Sequence, residues 1–222
     1  MKLNRIPKVI SYKEKAYNEI KSAILNNIIT ANDILNERSL ANDLGISRTP
    51  IREALQLLEN EGWVVTEPCK GTRVKEITID DIREVYEMRL ALEPYAIKLA
   101  IKNITKNELD QLRKISESQL QLCAGIHPEN FTEADMNFHM SISAISKNSR
   151  LINTINSFMD IMGMYIIRTI KNDNRYIDAA KEHIDIIDAV LKKDVLSAEK
   201  AVASHLEKAY TSIHHFLMDK NT

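Results

Sequence analysis

The stretch Ile46-Ser47-Arg48-Thr49-Pro50-Ile51-Arg52-Glu53-Ala54-Leu55, with Leu58 and Gly62 beyond it, constrains this chain more than any other. Ile51, Ala54, Leu55 and Leu58 recur at intervals of three and four, which puts apolar side chains on one buried face of a helix. Arg48 and Arg52 stand four apart on another face. Ser47 or Thr49 can cap the start and Pro50 is tolerated only in a first turn, so the pattern predicts a helix from Arg48 to Glu61. Two arginines in a first turn oppose the helix dipole, which favours acids there. They make sense if an anion faces them. Taken alone they would be an ordinary solvated pair, and the flanking sequence argues for more.

Upstream, the run from Leu35 to Gly45 reads as a short helix: Leu40 and Leu44 face a core, Ala41 allows close packing, and Gly45 adopts the left-handed conformation that ends a helix. A short helix, a three-residue turn and a longer basic helix make a helix-turn-helix, whose second helix suits a DNA major groove. Downstream, Trp63-Val64-Val65-Thr66-Glu67 and Thr72-Arg73-Val74-Lys75 are β-prone runs joined through Pro68-Cys69-Lys70-Gly71, with Lys70 and Arg73 at or beside the tip. Helix-turn-helix plus basic hairpin is a winged DNA-binding domain. Ala16, Ile20, Ile24, Leu25 and Ile28 give its first helix, from Tyr12 to Ile29, after a loosely ordered arm over residues 1–11.

The run Ser-Arg-Thr-Pro-Ile-Arg-Glu-Ala-Leu, then Leu-Glu-Asn-Glu-Gly-Trp, then Lys-Gly-Thr-Arg-Val closely resembles the GntR family of bacterial transcription regulators, over about Tyr12 to Lys75. The resemblance implies that Arg38, Ser47, Arg48, Thr49, Arg52, Lys70 and Gly71 contact double-stranded DNA, Arg38 at a phosphate. One departure is Ala31-Asn32-Asp33-Ile34-Leu35, where the family usually carries a Pro-Gly turn.

After Lys75 the strand signals stop. Thr78 caps a helix running toward Asn103, and Thr105 caps the next through Leu122, which Gly125-Ile126-His127-Pro128 breaks. Helical periods follow at about 130–146, 149–170, 176–193 and 195–218. Six amphipathic helices without a strand argue for an antiparallel bundle, and five glycines and five prolines leave little room for a β-rich fold. The expected fold is mainly α: a winged helix-turn-helix over residues 1–76 and an all-helical bundle over 77–222. Residues 1–75 carry 12 Lys and Arg against 9 Asp and Glu, the remainder 18 against 22, so a mildly basic head sits on an acidic body. Cys69 and Cys123 lack any CxxC spacing and read as ordinary thiols. With neither a signal-peptide core nor a run of about 18 apolar residues, the expected location is the cytoplasm and no membrane is involved.

Within the bundle, Asp135 and His139 are four apart and share a helix face, and His183 lies on a later helix with His205 22 positions beyond it. Two helices folding back near Asp194 bring those two histidines to the same level. One carboxylate and three imidazoles suit a divalent metal such as zinc, nickel or iron, although buried histidines are more often hydrogen-bonded core residues. Asp-x-x-x-His, Glu-His, the later histidine and Arg89-x-x-x-Glu93 resemble the FCD effector domain of FadR-type GntR regulators, over about residues 78 to 215. That resemblance implies that Asp135, His139, His183 and His205 hold a metal, zinc first, beside a cavity for a small organic acid. It also implies that Arg89 reaches the effector's carboxylate and that Asn148 lies near the pocket. From spacing alone, Arg89 and Glu93 are equally a surface ion pair and Asn148 equally a helix cap. Met159, Met162 and Met164 read as core, and His127, His214 and His215 as solvated.

The expected function is a homodimeric transcription regulator, a repressor by family habit, that binds a palindromic operator under the control of a small carboxylate. Two alternatives are a regulator responding to metal alone and a metal-dependent hydrolase. Against the hydrolase, no His-Glu-x-x-His or comparable base is present, so the chain is expected not to be an enzyme.

Overall fold

The computed structural model describes residues 10–26, 28–31, 33–76, 78–124, 128–169 and 175–219. The chain divides into two units, Met1–Ile77 and Thr78–Thr222. In the first, α1 (Tyr12–Leu25) starts at a capping box in which Ser11 Oγ accepts from Glu14 N–H and Glu14 Oε2 accepts from Ser11 N–H. Its buried Ala16, Ile20 and Ile24 pack on α3 (Arg48–Asn60), whose Ile51, Ala54, Leu55 and Leu58 form the predicted stripe. The periodicity overran the first helix: the N–H groups of Ile28 and Ile29 both turn back onto the Ala23 carbonyl, ending α1 at Leu25 and leaving Ile28 exposed. Residues 1–9 of the expected arm lie outside the described residues.

Helix α2 (Glu37–Leu44) is capped by Asn36, whose Oδ1 accepts from the N–H groups of Arg38 and Ser39, and it ends at Gly45 with φ 64°. Leu35 does not belong to it. Ile34 and Leu35 form a two-residue strand, β1, which pairs with β3 (Gly71–Val74), and β3 pairs with β2 (Val64–Glu67). The antiparallel order is β1-β3-β2, with Val64 opposite Val74 and Glu67 opposite Gly71. Leu35, Trp63, Val64 and Val74 are buried, which fixes this small sheet. Where the Pro-Gly turn is missing, the Thr30 N–H and hydroxyl both donate to Asp33 Oδ2 at 2.7 Å and close the loop by side chain instead.

The second unit is six helices among the described residues: α4 (Ile79–Asn103), α5 (Lys106–Ala124), α6 (Pro128–Ile145), α7 (Ser149–Thr169), α8 (Arg175–Leu191) and α9 (Val195–Asp219). Capping boxes Thr78/Asp81 and Thr105/Glu108 start the first two. Lys147 (φ 58°) and Lys193 (φ 54°) take the left-handed conformation in the turns before α7 and α9. Helix α4 runs through Pro94, giving up one N–H bond there. Ile97, Leu112, Phe138, Ile186 and Leu206, from α4, α5, α6, α8 and α9, meet in one core. The expected break at residues 125–127, which includes His127, falls outside the described residues.

Candidate functional site

The paired helices α8 and α9 turn at Asp194, and His183 and His205 stand eleven positions to either side of it. Packing of α8 on α9 therefore brings the two imidazoles level, with ring centroids 4.6 Å apart. Helix α6 adds Asp135 and His139 one turn apart. All four side chains are buried, and one ligand atom from each lies within 4.8 Å of all the others. His139 Nε2 is 3.2 Å and His183 Nε2 3.3 Å from His205 Nε2, and Asp135 Oδ1 is 3.5 Å from His183 Nε2.

Each imidazole's outer nitrogen has its own acceptor. His139 Nδ1 meets Glu93 Oε2 at 2.7 Å and His205 Nδ1 meets Glu182 Oε2 at 2.8 Å. Gln119, fully buried on α5, donates from Nε2 to the Ala134 carbonyl, which leaves its Oε1 to accept from His183 Nδ1 at 2.7 Å. These acceptors favour the tautomer with its proton on each Nδ1, in which the three Nε2 lone pairs face one another beside a carboxylate and cannot hydrogen-bond to each other. Burial, followed by His205 and His139, pushes the His183 imidazole well below its ordinary range, and burial also lowers His205. Four converging acceptors without a proton repel unless a cation lies between them. Nitrogens about 2.1 Å from one metal ion stand about 3.0 to 3.4 Å apart at right-angle to tetrahedral bond angles, so the residues present fit a divalent ion. Phe138 stacks on His183 at 3.9 Å between centroids and locks its ring plane.

Arg89, 3% exposed, gives Nε to Glu93 Oε1, so the sequence pairing is real but buried, and it is tied to the histidine cluster through Glu93. Burial pushes the Glu93 carboxyl up, but Arg89 and then His139 hold it well below the usual carboxylate range. Arg89 Nη2 is buried without a partner. Arg89 lines a pocket with about 480 Å³ of atom-free space, open solvent included, that reaches Asp135 and His205. Arg175 lines the same pocket, holds Glu182 Oε2 through Nη2, and leaves Nε and Nη1 buried and unpaired. Burial raises Glu182, and His205 with Arg175 bring it down to about 2. Asn148, by contrast, is exposed and caps α7, its Oδ1 accepting from Leu151 N–H at 3.3 Å; it is not among the residues lining this pocket. Met159 and Met162 are core, and the Met164 side chain lies outside the described residues. His215 is exposed, whereas half-buried His214 touches the Tyr210 ring.

On the first unit the resemblance-derived residues are all exposed: Arg38 in the first turn of α2, Ser47, Arg48, Thr49 and Arg52 at the head of α3, and Lys70 and Gly71 at the hairpin tip. Ser47 is the N-cap by position but makes no side-chain cap bond. The anion that the helix dipole calls for lies within the chain. Glu37 accepts from Arg52 at both oxygens (2.9 Å each) and from Arg48 at 3.0 Å. Arg52, against a small cost of desolvation, and then Arg48 keep the Glu37 carboxyl below its ordinary range. At the hairpin, Glu67 carries Lys70 and Arg73. Sequence reading missed Glu37, Gln119, Arg175 and Glu182 as site residues. The only cue was for Glu182, which precedes a suspected ligand.

Residues 12–74 match the bacterial regulatory proteins of the gntR family and residues 84–208 match the FCD domain. The chain belongs to this family of transcription regulators, which are not enzymes. It is 32% identical over 170 residues to the probable D-xylose utilization operon transcriptional repressor of Paenarthrobacter nicotinovorans, covering 77% of this chain and 74% of that one. Over 214 residues it is 28% identical to the uncharacterized HTH-type transcriptional regulator YdhC of Bacillus subtilis (strain 168), 96% of each chain. Among solved structures it is similar to E. coli McbR/YncC, with a TM-score of 0.81 at 21% identity over 94% of this chain and 100% of that one.

Proposed function

We propose that this regulator is a homodimer that binds a palindromic DNA operator and adjusts its affinity to a small organic acid held beside a divalent metal. The single observation that carries this reading is the buried cluster of three Nε2 lone pairs and Asp135, bordered by the unpaired Nη2 of Arg89. Asp135, His139, His183 and His205 would hold the ion, zinc or another first-row metal suited to imidazole and carboxylate, with Glu93, Gln119 and Glu182 fixing the imidazole tautomers. When bound, the ion supplies a fixed positive charge at one wall of the pocket.

Arg89 then donates Nη2 to the effector's carboxylate while Glu93 keeps its other edge in register. Helix α4 carries both residues and is the first helix after the DNA-binding unit, so a ligand that holds Arg89 differently in two states shifts the placement of the two heads. The unpaired guanidiniums favour an organic effector over metal alone as the signal. On the first unit, Arg48 and Arg52 exchange Glu37 for bases and phosphates, Arg38 meets a phosphate, and Lys70 and Gly71 follow the neighbouring groove. Repression follows the printed role of the D-xylose utilization operon repressor, and a cytoplasmic location follows from the DNA it would bind.

Selection of duplexes from a random pool by the full chain tests the DNA half. Recovery of a two-fold symmetric motif supports the reading, and recovery of unrelated sequences no better than the input pool contradicts it.

A further inference from the structure

Two arginines from different helices line the same pocket and keep buried N–H groups that no acceptor among the described residues meets. Arg89 on α4 leaves Nη2 unpaired, and Arg175 at the start of α8 leaves Nε and Nη1 unpaired. Buried donors normally find acceptors, because leaving one unmet forfeits its hydration without a replacement bond. One such arginine calls for one anionic group, and a second on another helix calls for more than a monoacid supplies.

Arg175 is also held in place. Its Nη2 donates to Glu182 Oε2 and reaches the His205 carbonyl at 3.5 Å, so its remaining edge is aimed rather than free to swing. The rest of the wall, Phe131, Ala179, Ala209 and Ile213, is apolar and suits a short carbon spacer.

We infer that the pocket takes a small dianionic acid, one carboxylate at Arg89 and the other at Arg175, and that Arg175 selects diacids over monoacids. This rests on the reading of the bundle as a metal-anchored acid site.

The test uses metal-loaded full-length protein and three diacid probes, malonate, succinate and glutarate, each beside its half-amide, which has the same shape but one charge fewer. Binding is read by calorimetry. At least one diacid is expected to bind roughly tenfold or more tightly than its half-amide, the size of one charge-assisted contact. Arg175→Gln is expected to erase that preference, weakening diacid binding roughly tenfold more than half-amide binding, and Arg175→Lys to restore part of it. Equal binding of diacids and half-amides by the wild type overturns the inference and leaves the metal-anchored monoacid reading standing. Equal weakening of both by Arg175→Gln also overturns it, since Arg175 would then be supporting the pocket without reading the second charge. If none of the acids binds the metal-loaded wild type, both the inference and the small-acid reading fail.

Discussion

Glu37 gathers the two arginines that head α3 into a single fork, with Arg52 on both carboxylate oxygens and Arg48 sharing Oε2. Both guanidiniums remain mostly in solvent, at 61% and 67% exposure, so the ion pairs add little stability and act mainly to orient. Arg52→Ala is expected to cost about 1 to 3 kcal/mol of operator affinity and to relax sequence preference, as loss of one bidentate base contact does. Anisotropy titrations against operator and scrambled duplexes check this, and an unchanged preference would contradict it. At this scale the sequence revealed the clustered Asp135, His139, His183 and His205 better than the side chains that hold them. Asp135 and His139 share a helix face and His183 and His205 flank a turn, so local spacing announces them. Gln119 lies 64 positions from His183, and Glu37 lies 15 from Arg52, on other helices. Only tertiary packing joins such pairs, and no period in the chain records it. Asn148, which the sequence left open between a place near the pocket and a helix cap, accepts from Leu151 N–H as a cap does.

Among the elements, helices with long apolar periods were legible almost to their ends, whereas β1 has only two residues and no alternation to read. Helix α1 is tied to the end of α3 by Glu61, whose Oε2 accepts from Tyr17 Oη at 2.6 Å, Lys21 Nζ at 3.2 Å and Trp63 Nε1 at 3.2 Å. Burial pushes the Glu61 carboxyl up, but the Tyr17 bond and Lys21 hold it below its ordinary range. Because its folded pKa lies under the unfolded value of about 4.3, the stabilisation is complete above that pH and is lost as pH falls through the folded value. Glu61→Gln is expected to destabilise the first unit by about 0.5 to 1 kcal/mol at pH 7, a modest figure because the side chain is partly exposed, and by less at pH 3. Denaturation at the two pH values checks this, and an equal loss at both would contradict it. In the turn before α9, exposed Lys193 occupies a left-handed position that glycine adopts without a Cβ clash. Lys193→Gly is expected to raise stability by up to about 1 kcal/mol in urea titrations.

For the whole molecule, the sequence divides labour between a mildly basic reading unit and an acidic bundle, and no helix of the described residues is long and apolar enough to cross a membrane. If the bundle folds around an ion, removing that ion exposes the lone pairs of His139, His183 and His205 to mutual repulsion. Chelation is therefore expected to lower the melting temperature of the full chain, by an amount that grows with metal affinity: about 4 kcal/mol of stabilisation is at stake when free metal stands near a thousand times its Kd. A melting curve indifferent to chelator and to added zinc would argue that the histidines are ordinary core residues.

The most direct measurement is elemental analysis of untagged protein purified without chelator, alongside the His183→Ala/His205→Ala double variant and the volume-conserving Asp135→Asn. Circular dichroism on each checks that the helices persist. The account predicts about one divalent ion per chain in the wild type, sharply less in Asp135→Asn and essentially none in the double variant. A folded wild type that holds no metal even after incubation with zinc, nickel or iron, or variants that retain as much as the wild type, would contradict it.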